Sequence, residues 1–132
     1  MDAFPHHYRV RASGSADADV RIDSDDLPSL ATQAPVEFGG PGGRWSPETL
    51  LVAAVADCYV LSFRAVAAAS KLSFEQLDCE VEGVLDRVER TTRFTAFEIR
   101  ARLQLPTGGD EDKAMRLMEK AEAVCLISNS LT

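Results

Sequence analysis

The segment from Leu50 to Ala68, LLVAAVADCYVLSFRAVAA, is apolar around nearly its whole circumference and is interrupted chiefly by Asp57 and Arg64. A helix of that kind needs a partner on every side. Its start is well marked. Ser46 is placed to cap free backbone amides, Pro47 takes the first helical position, where its missing N–H costs nothing, and Glu48 sets a negative charge beside the positive end of the helix dipole. The chain has 132 residues, 45% of them hydrophobic, which is enough for one core and reads as a single domain over residues 1–132. So short a chain can cover the helix only with one sheet and one further helix. One helix face is therefore expected to pack on a second copy, and a homodimer follows from burial alone.

Both flanks of this helix show period-two alternation. Tyr8, Val10 and Ala12 oppose Arg9 and Arg11, and Val20 and Ile22 follow a Ser13-Gly14-Ser15 turn, which reads as a β-hairpin. The loop from Ala34 to Ser46, APVEFGGPGGRWS, carries four glycines and two prolines and leads into the helix. Beyond Lys71, Cys79, Val81, Gly83 and Leu85 share one face. Phe97, Ile99, Ala101, Leu103 and Leu105 then alternate with Glu98, Arg100, Arg102 and Gln104, as in a sheet with one wet face. Asp110 to Asp112 open a last helix, in which Ala114, Leu117, Met118, Ala121 and Cys125 recur at spacings of three and four. The fold class is α+β.

Charge narrows the possible partners. With 21 Asp and Glu against 14 Lys and Arg, the net charge of -7 repels a phosphate backbone, so nucleic acid is not an expected partner. The start of the chain, MDAFPHH, has neither a basic nor an apolar signal region. The charge-free run from Thr49 to Ala56 is too short to span a bilayer of roughly 30 Å, so no membrane partner is expected either. His6 and His7 are adjacent, whereas ligands on one strand face stand two apart, so no metal site is expected. No cofactor is implied.

The three cysteines cannot all pair, and an odd count without an export signal points to a reducing, cytoplasmic setting. There a cysteine is either a small core hydrophobe or a reagent. Cys79 lies on the inward face of a strand with nothing nearby to lower its pKa, and it reads as core. Trp45 and Phe63 read as packing anchors. Cys58 lies inside the apolar helix, and Cys125 ends the last amphipathic stripe, where CLISNS looks like the start of a new helix. Both cysteines face the same small core, and a helix start favours a thiolate.

These two segments carry a family resemblance. WSPETLLVAAVADCYVLSF resembles the central helix of the OsmC and organic hydroperoxide resistance proteins, and MEKAEAVCLISNSL resembles their second cysteine motif, in the expected order and separation. The resemblance implies a strongly curved antiparallel sheet wrapped around the Ser46 to Ser70 helix, with two chains intertwined and active sites at their interface. It implies that Cys58 is the peroxidatic cysteine, Cys125 the resolving one and Glu48 an orienting residue. The substrate would be an organic hydroperoxide, and the reductant an external dithiol of lipoyl type. The family's thiolate-stabilising arginine has no evident counterpart: Glu37-Phe38 stands where a loop arginine is expected, and Arg44 and Arg21 are the remaining candidates. Leu126 replaces the usual proline after the second cysteine. Two rival readings are a ligand-binding or interaction protein of the same fold with inert cysteines, and a thiol-disulfide exchange protein that never meets peroxide.

Overall fold

The computed structural model describes residues 2–131. The chain forms two compact units, one up to Leu50 and one from Leu51 onward. The first holds a three-stranded antiparallel sheet of β1 (Arg11–Ser13), β2 (Val20–Asp23) and β3 (Leu30–Thr32) in the order β1-β2-β3. The hairpin expected from the N-terminal alternation therefore exists, but it begins later. Arg11 is the first paired residue, opposite Asp23, and Tyr8 and Val10 are exposed outside the ladder. The physical reason is on the partner strand: β2 ends where Ser24, Asp25 and Asp26 turn away, Asp26 with φ 63, which leaves residues 8–10 nothing to pair with. The Ser24 hydroxyl instead donates to the Arg9 carbonyl at 2.8 Å.

The loop before the long helix is tied to β3 by main chain, because the Gln33 N–H donates to the Trp45 carbonyl at 3.0 Å. Trp45 itself is half exposed, so it anchors through its backbone and not through its ring, contrary to the sequence reading. Helix α1 (Pro47–Ala69) then starts as expected. Its cap is reciprocal: the Thr49 N–H donates to Ser46 Oγ at 3.1 Å, and the Ser46 N–H donates to Thr49 Oγ1 at 2.8 Å. Threonine here takes the part that glutamate plays in the usual capping box.

In the second unit α1 buries Val55, Tyr59, Phe63, Val66 and Ala67, a stripe at helical spacing. From Tyr59 to Ala67 the stripe packs with Leu77, Leu117 and Ala121 in one core, and Phe63 meets Phe74 edge-on at 5.0 Å between ring centroids. Burial all round is not realised within the unit, and Leu61 is 49% exposed. Strands β4 (Gln76–Val88) and β5 (Thr91–Gln104) pair antiparallel with the core faces anticipated from their alternation. They are joined through Glu89 and Arg90, both at positive φ, the twist that a two-residue hairpin turn requires. Opposite Val84 and Leu85 a bulge leaves Thr95 unpaired. It shifts the parity of β5, so that Phe94 and Phe97 fall on one face with ring centroids 5.1 Å apart. Helix α2 (Glu111–Val124) is capped by Asp110, whose carboxylate accepts from the Lys113 N–H at 3.0 Å, and a short α3 (Leu126–Ser130) ends the described chain.

Candidate functional site

Cys58 lies in the middle of α1, on the flank of the buried stripe. It is half-buried and lines a cavity of ≈540 Å³. Ala54, Leu61, Ala65 and Val66 of the same helix form much of the wall, with Val124, Leu126 and Ile127 opposite. The polar groups at this wall are Cys58 itself, Asp57 and Ser62. Ser62, one turn on, holds its Oγ 3.8 Å from Cys58 Sγ. Its wall is mostly aliphatic with a few polar groups, the general make-up of small-molecule sites.

Cys125 occupies the junction between α2 and α3 as C-cap of one and N-cap of the other, with extended backbone (φ -63, ψ 107). The helix break read from CLISNS is therefore present. Leu126 is the first residue of α3, the position in which a proline would also fit, so the turn forms without one. The Cys125 side chain is only 1% exposed, and its sulfur accepts from Ser128 Oγ at 3.4 Å. Cys58 is among the groups that act on the Cys125 thiol, and both cysteines are free. Burial pushes the Cys125 thiol up. Hydrogen bonds from Ser128 Oγ, from the Cys58 thiol and from the Ser128 and Ile127 backbone N–H groups outweigh it, and the thiol lies below its ordinary range. The fold thus brings together the two cysteines singled out in the sequence and adds Ser62, Ser128 and Asp57, which the sequence reading left unused.

Cys79 keeps the core role assigned to it. It packs against the Tyr59, Phe63 and Leu77 cluster, and burial, followed by the charge of Cys125, pushes its thiol up. The N-terminal unit carries the other candidates. Glu48 stands in the first turn of α1 with Oε1 buried and, among the described residues, without a hydrogen-bond partner. Arg44 is paired with Asp19 at 2.9 Å, and its bond holds the Asp19 carboxyl below the usual range; Arg21 is paired with Asp23, also at 2.9 Å. Among the described residues no group of His, Cys, Asp and Glu could hold a metal ion.

Comparison with known proteins places this geometry in context. Residues 40–132 match the family model described as OsmC-like protein. The uncharacterized protein YmaD of Bacillus subtilis is 28% identical over 131 residues, covering 96% of this chain and 87% of its own. An uncharacterized protein of Acinetobacter baylyi is 31% identical over 124 residues, covering 93% of this chain and 85% of its own. Among solved structures, an OsmC-like protein of unknown function from Vibrio cholerae superposes with a TM-score of 0.87 at 16% identity, over 96% of this chain and 94% of that one, a likeness of fold. The organic hydroperoxide resistance protein OsmC of Legionella pneumophila superposes with a TM-score of 0.79 at 29% identity, over 98% of this chain and 91% of that one.

Proposed function

Since the chain belongs to the OsmC-like family, we propose that it is a thiol-dependent peroxidase that reduces organic hydroperoxides with Cys58 and Cys125. The observation that carries this reading is the pair itself: a half-buried thiol lining a largely apolar cavity, acting on the ionisation of a buried second thiol at the helix junction whose next residues line the same cavity. The similarity to a protein named for organic hydroperoxide resistance supports the substrate class.

The chemistry runs in three balanced steps. The Cys58 thiolate attacks the terminal peroxide oxygen, the O–O bond breaks, and the departing alkoxide takes a proton to leave as the alcohol, with Cys58 now a sulfenic acid. Cys125 sulfur then attacks the Cys58 sulfur, expelling the hydroxyl as water and forming the disulfide. An external dithiol, of lipoyl type in this reading, returns both thiols by exchange and is itself oxidised to a disulfide. In this scheme access decides the order of attack. Cys125, 1% exposed, cannot meet a bulky hydroperoxide first, and Cys58 can.

Glu48 is assigned the orienting role. Its buried, unpartnered Oε1 is an acceptor lacking the donor that burial calls for. A thiolate-stabilising role for Arg44 or Arg21 would require release from Asp19 or Asp23. A homodimer, in a reducing cytoplasmic setting, accounts for the apolar flank of α1 that the unit leaves uncovered, Leu61 included.

The test is a single-equivalent oxidation. Reduced protein is mixed with one equivalent of an alkyl hydroperoxide, and intact mass is followed beside peroxide consumption. The expected result is rapid loss of two hydrogens, abolished in Cys58→Ser. No reaction in a folded protein would sink the proposal, and oxidation by a small disulfide but not by peroxide would make the chain an exchange protein.

A further inference from the structure

We propose that Ser62 is a catalytic residue that acts on the oxygen and not on the sulfur: its hydroxyl donates a hydrogen bond to the peroxide oxygen as that atom passes to Cys58, and holds it afterwards in the sulfenic acid. The role rests on the peroxidase reading above, and its test separates the two.

Cys58 and Ser62 stand four residues apart on α1, which puts them one above the other on the same helix face. Ser62 Oγ lies 3.8 Å from Cys58 Sγ, and both side chains are half-buried. A serine inside a helix ordinarily turns its hydroxyl back to the carbonyl four residues earlier, as Ser130 does to Leu126 at 2.7 Å. For Ser62 that carbonyl belongs to Cys58, yet among the described residues its hydroxyl meets the Cys58 sulfur instead. The pair belongs to one turn of one helix. A second chain packed on this wall would enclose the pair without separating its members, so the contact holds in a homodimer as in the single chain.

The distance decides what the hydroxyl can do. Ser128 Oγ approaches Cys125 at 3.4 Å, a hydrogen bond to the sulfur itself, whereas Ser62 Oγ stands farther from Cys58, at 3.8 Å. That gap closes once the sulfur carries an oxygen. An S–O bond leaning toward Ser62 places the new oxygen within the roughly 2.5–3.0 Å of an O–H···O hydrogen bond. In the first step an electron pair of the Cys58 sulfur forms the S–O bond while the O–O bond breaks, the departing alkoxide takes up a proton to leave as the alcohol, and the transferred hydroxyl stays on sulfur. Ser62 keeps its own proton throughout and donates only a hydrogen bond to that oxygen. It thereby holds the peroxide in the orientation that attack requires.

The test compares two reactions of one thiol. Iodoacetamide alkylates Cys58 without delivering an oxygen, and an alkyl hydroperoxide delivers one. Both rates are measured on the reduced protein, with the modified cysteine identified by peptide mapping. In Ser62→Ala the peroxide rate should fall about three- to tenfold, the worth of a net hydrogen bond, while the alkylation rate stays within about twofold. The retained alkylation rate also shows that the variant is folded around Cys58. Ser62→Thr, which keeps the hydroxyl, should restore the peroxide rate. Equal losses in both reactions would mean that Ser62 acts on the thiolate or on the fold, and would overturn the proposal. A Ser62→Thr variant as slow as Ser62→Ala would overturn it too, since the hydroxyl would not be the cause. If the unsubstituted protein is alkylated at Cys58 but does not react with hydroperoxide, the peroxidase reading fails and the role of Ser62 falls with it. Reaction with hydroperoxide that Ser62→Ala leaves at full rate overturns the role of Ser62 alone.

Discussion

Gly83 sits on the inner face of β4, where a side chain should strengthen a strand, yet the structure leaves no room for one. A Cβ built there meets Val52 Cγ2 at 2.8 Å and Phe94 Cε1 at 2.9 Å. Neither neighbour is the free end of a flexible chain. Val52 is β-branched in a helix, with essentially one χ1 rotamer, and Phe94 is stacked on Phe97. Gly83→Ala should therefore cost about 1–3 kcal/mol in overpacking, offset by roughly 0.5–1 kcal/mol from the lower entropy of alanine in a strand. The net loss is about 0–2.5 kcal/mol, which for a chain of this size lowers Tm by roughly 4 °C per kcal/mol. Urea and thermal melts measure it directly. The decisive arm is the double variant Val52→Ala/Gly83→Ala, because removing Cγ2 makes room for the new methyl. The pair should be more stable than the sum of the single changes by about 0.5–2 kcal/mol. Simple additivity would refute the close approach of α1 to β4. Under the peroxidase reading, the strained single variant should also form a Cys58–Cys125 disulfide more slowly, because Val52 and Cys58 share α1.

Two further outcomes follow from the core and the site. Phe63→Ala removes a fully buried ring and its edge contact with Phe74, and should cost about 3–5 kcal/mol in urea unfolding; a loss below 1 kcal/mol would contradict the packing described. Ser128→Ala removes the hydroxyl that donates to Cys125 at 3.4 Å, so the Cys125 titration, read by thiolate absorbance, should move upward; an unmoved titration would remove Ser128 from the site.

What the sequence disclosed and what it concealed divide along the range of the interactions. Ser46-Pro47, the alternation from Cys79 to Leu85 and the stripe from Ala114 to Cys125 are local patterns, set by capping and by period, and the structure keeps them. The approach of Cys58 to Cys125 depends on tertiary packing, and from sequence it rested on shared inward faces and on family motif. The bulge at Thr95 was hidden because one extra residue inverts the parity of everything before it, and nothing in TTRFTAF marks where that occurs. The Glu89-Arg90 turn was hidden because neither residue favours positive φ. Ser62 could have been found, since a hydroxyl four residues after Cys58 lies one helical turn away on the same face. Ser128 and Asp57 gave no such signal, one depending on a helix junction and the other on a cavity.

The asymmetry of the cysteine pair makes a last prediction about its chemistry under the peroxidase reading. Hydrogen-bond donors converge on Cys125, the buried member, against the opposing effect of burial, and those from the Ser128 hydroxyl and the Ser128 and Ile127 backbone N–H groups stay in place when the Cys58 thiol has been oxidised. A stabilised thiolate at that place serves the second step. Once Cys58 is a sulfenic acid, its fate is set by competition between attack by Cys125 and a second peroxide, and only the thiolate form of Cys125 attacks. The sign then follows. A folded pKa held down favours the ionised protein, and this stabilisation is complete above the ordinary thiol range and lost as pH falls through the folded value. As pH falls through that window Cys125 becomes protonated, disulfide formation slows, and excess peroxide carries Cys58 on to the sulfinic acid. Mass spectra of protein treated with ten equivalents of alkyl hydroperoxide should show disulfide at high pH and a growing sulfinic fraction at lower pH. In Ser128→Ala that crossover should move to higher pH. A sulfinic fraction independent of pH, or one that rises with pH, would show that ionisation of Cys125 does not govern resolution.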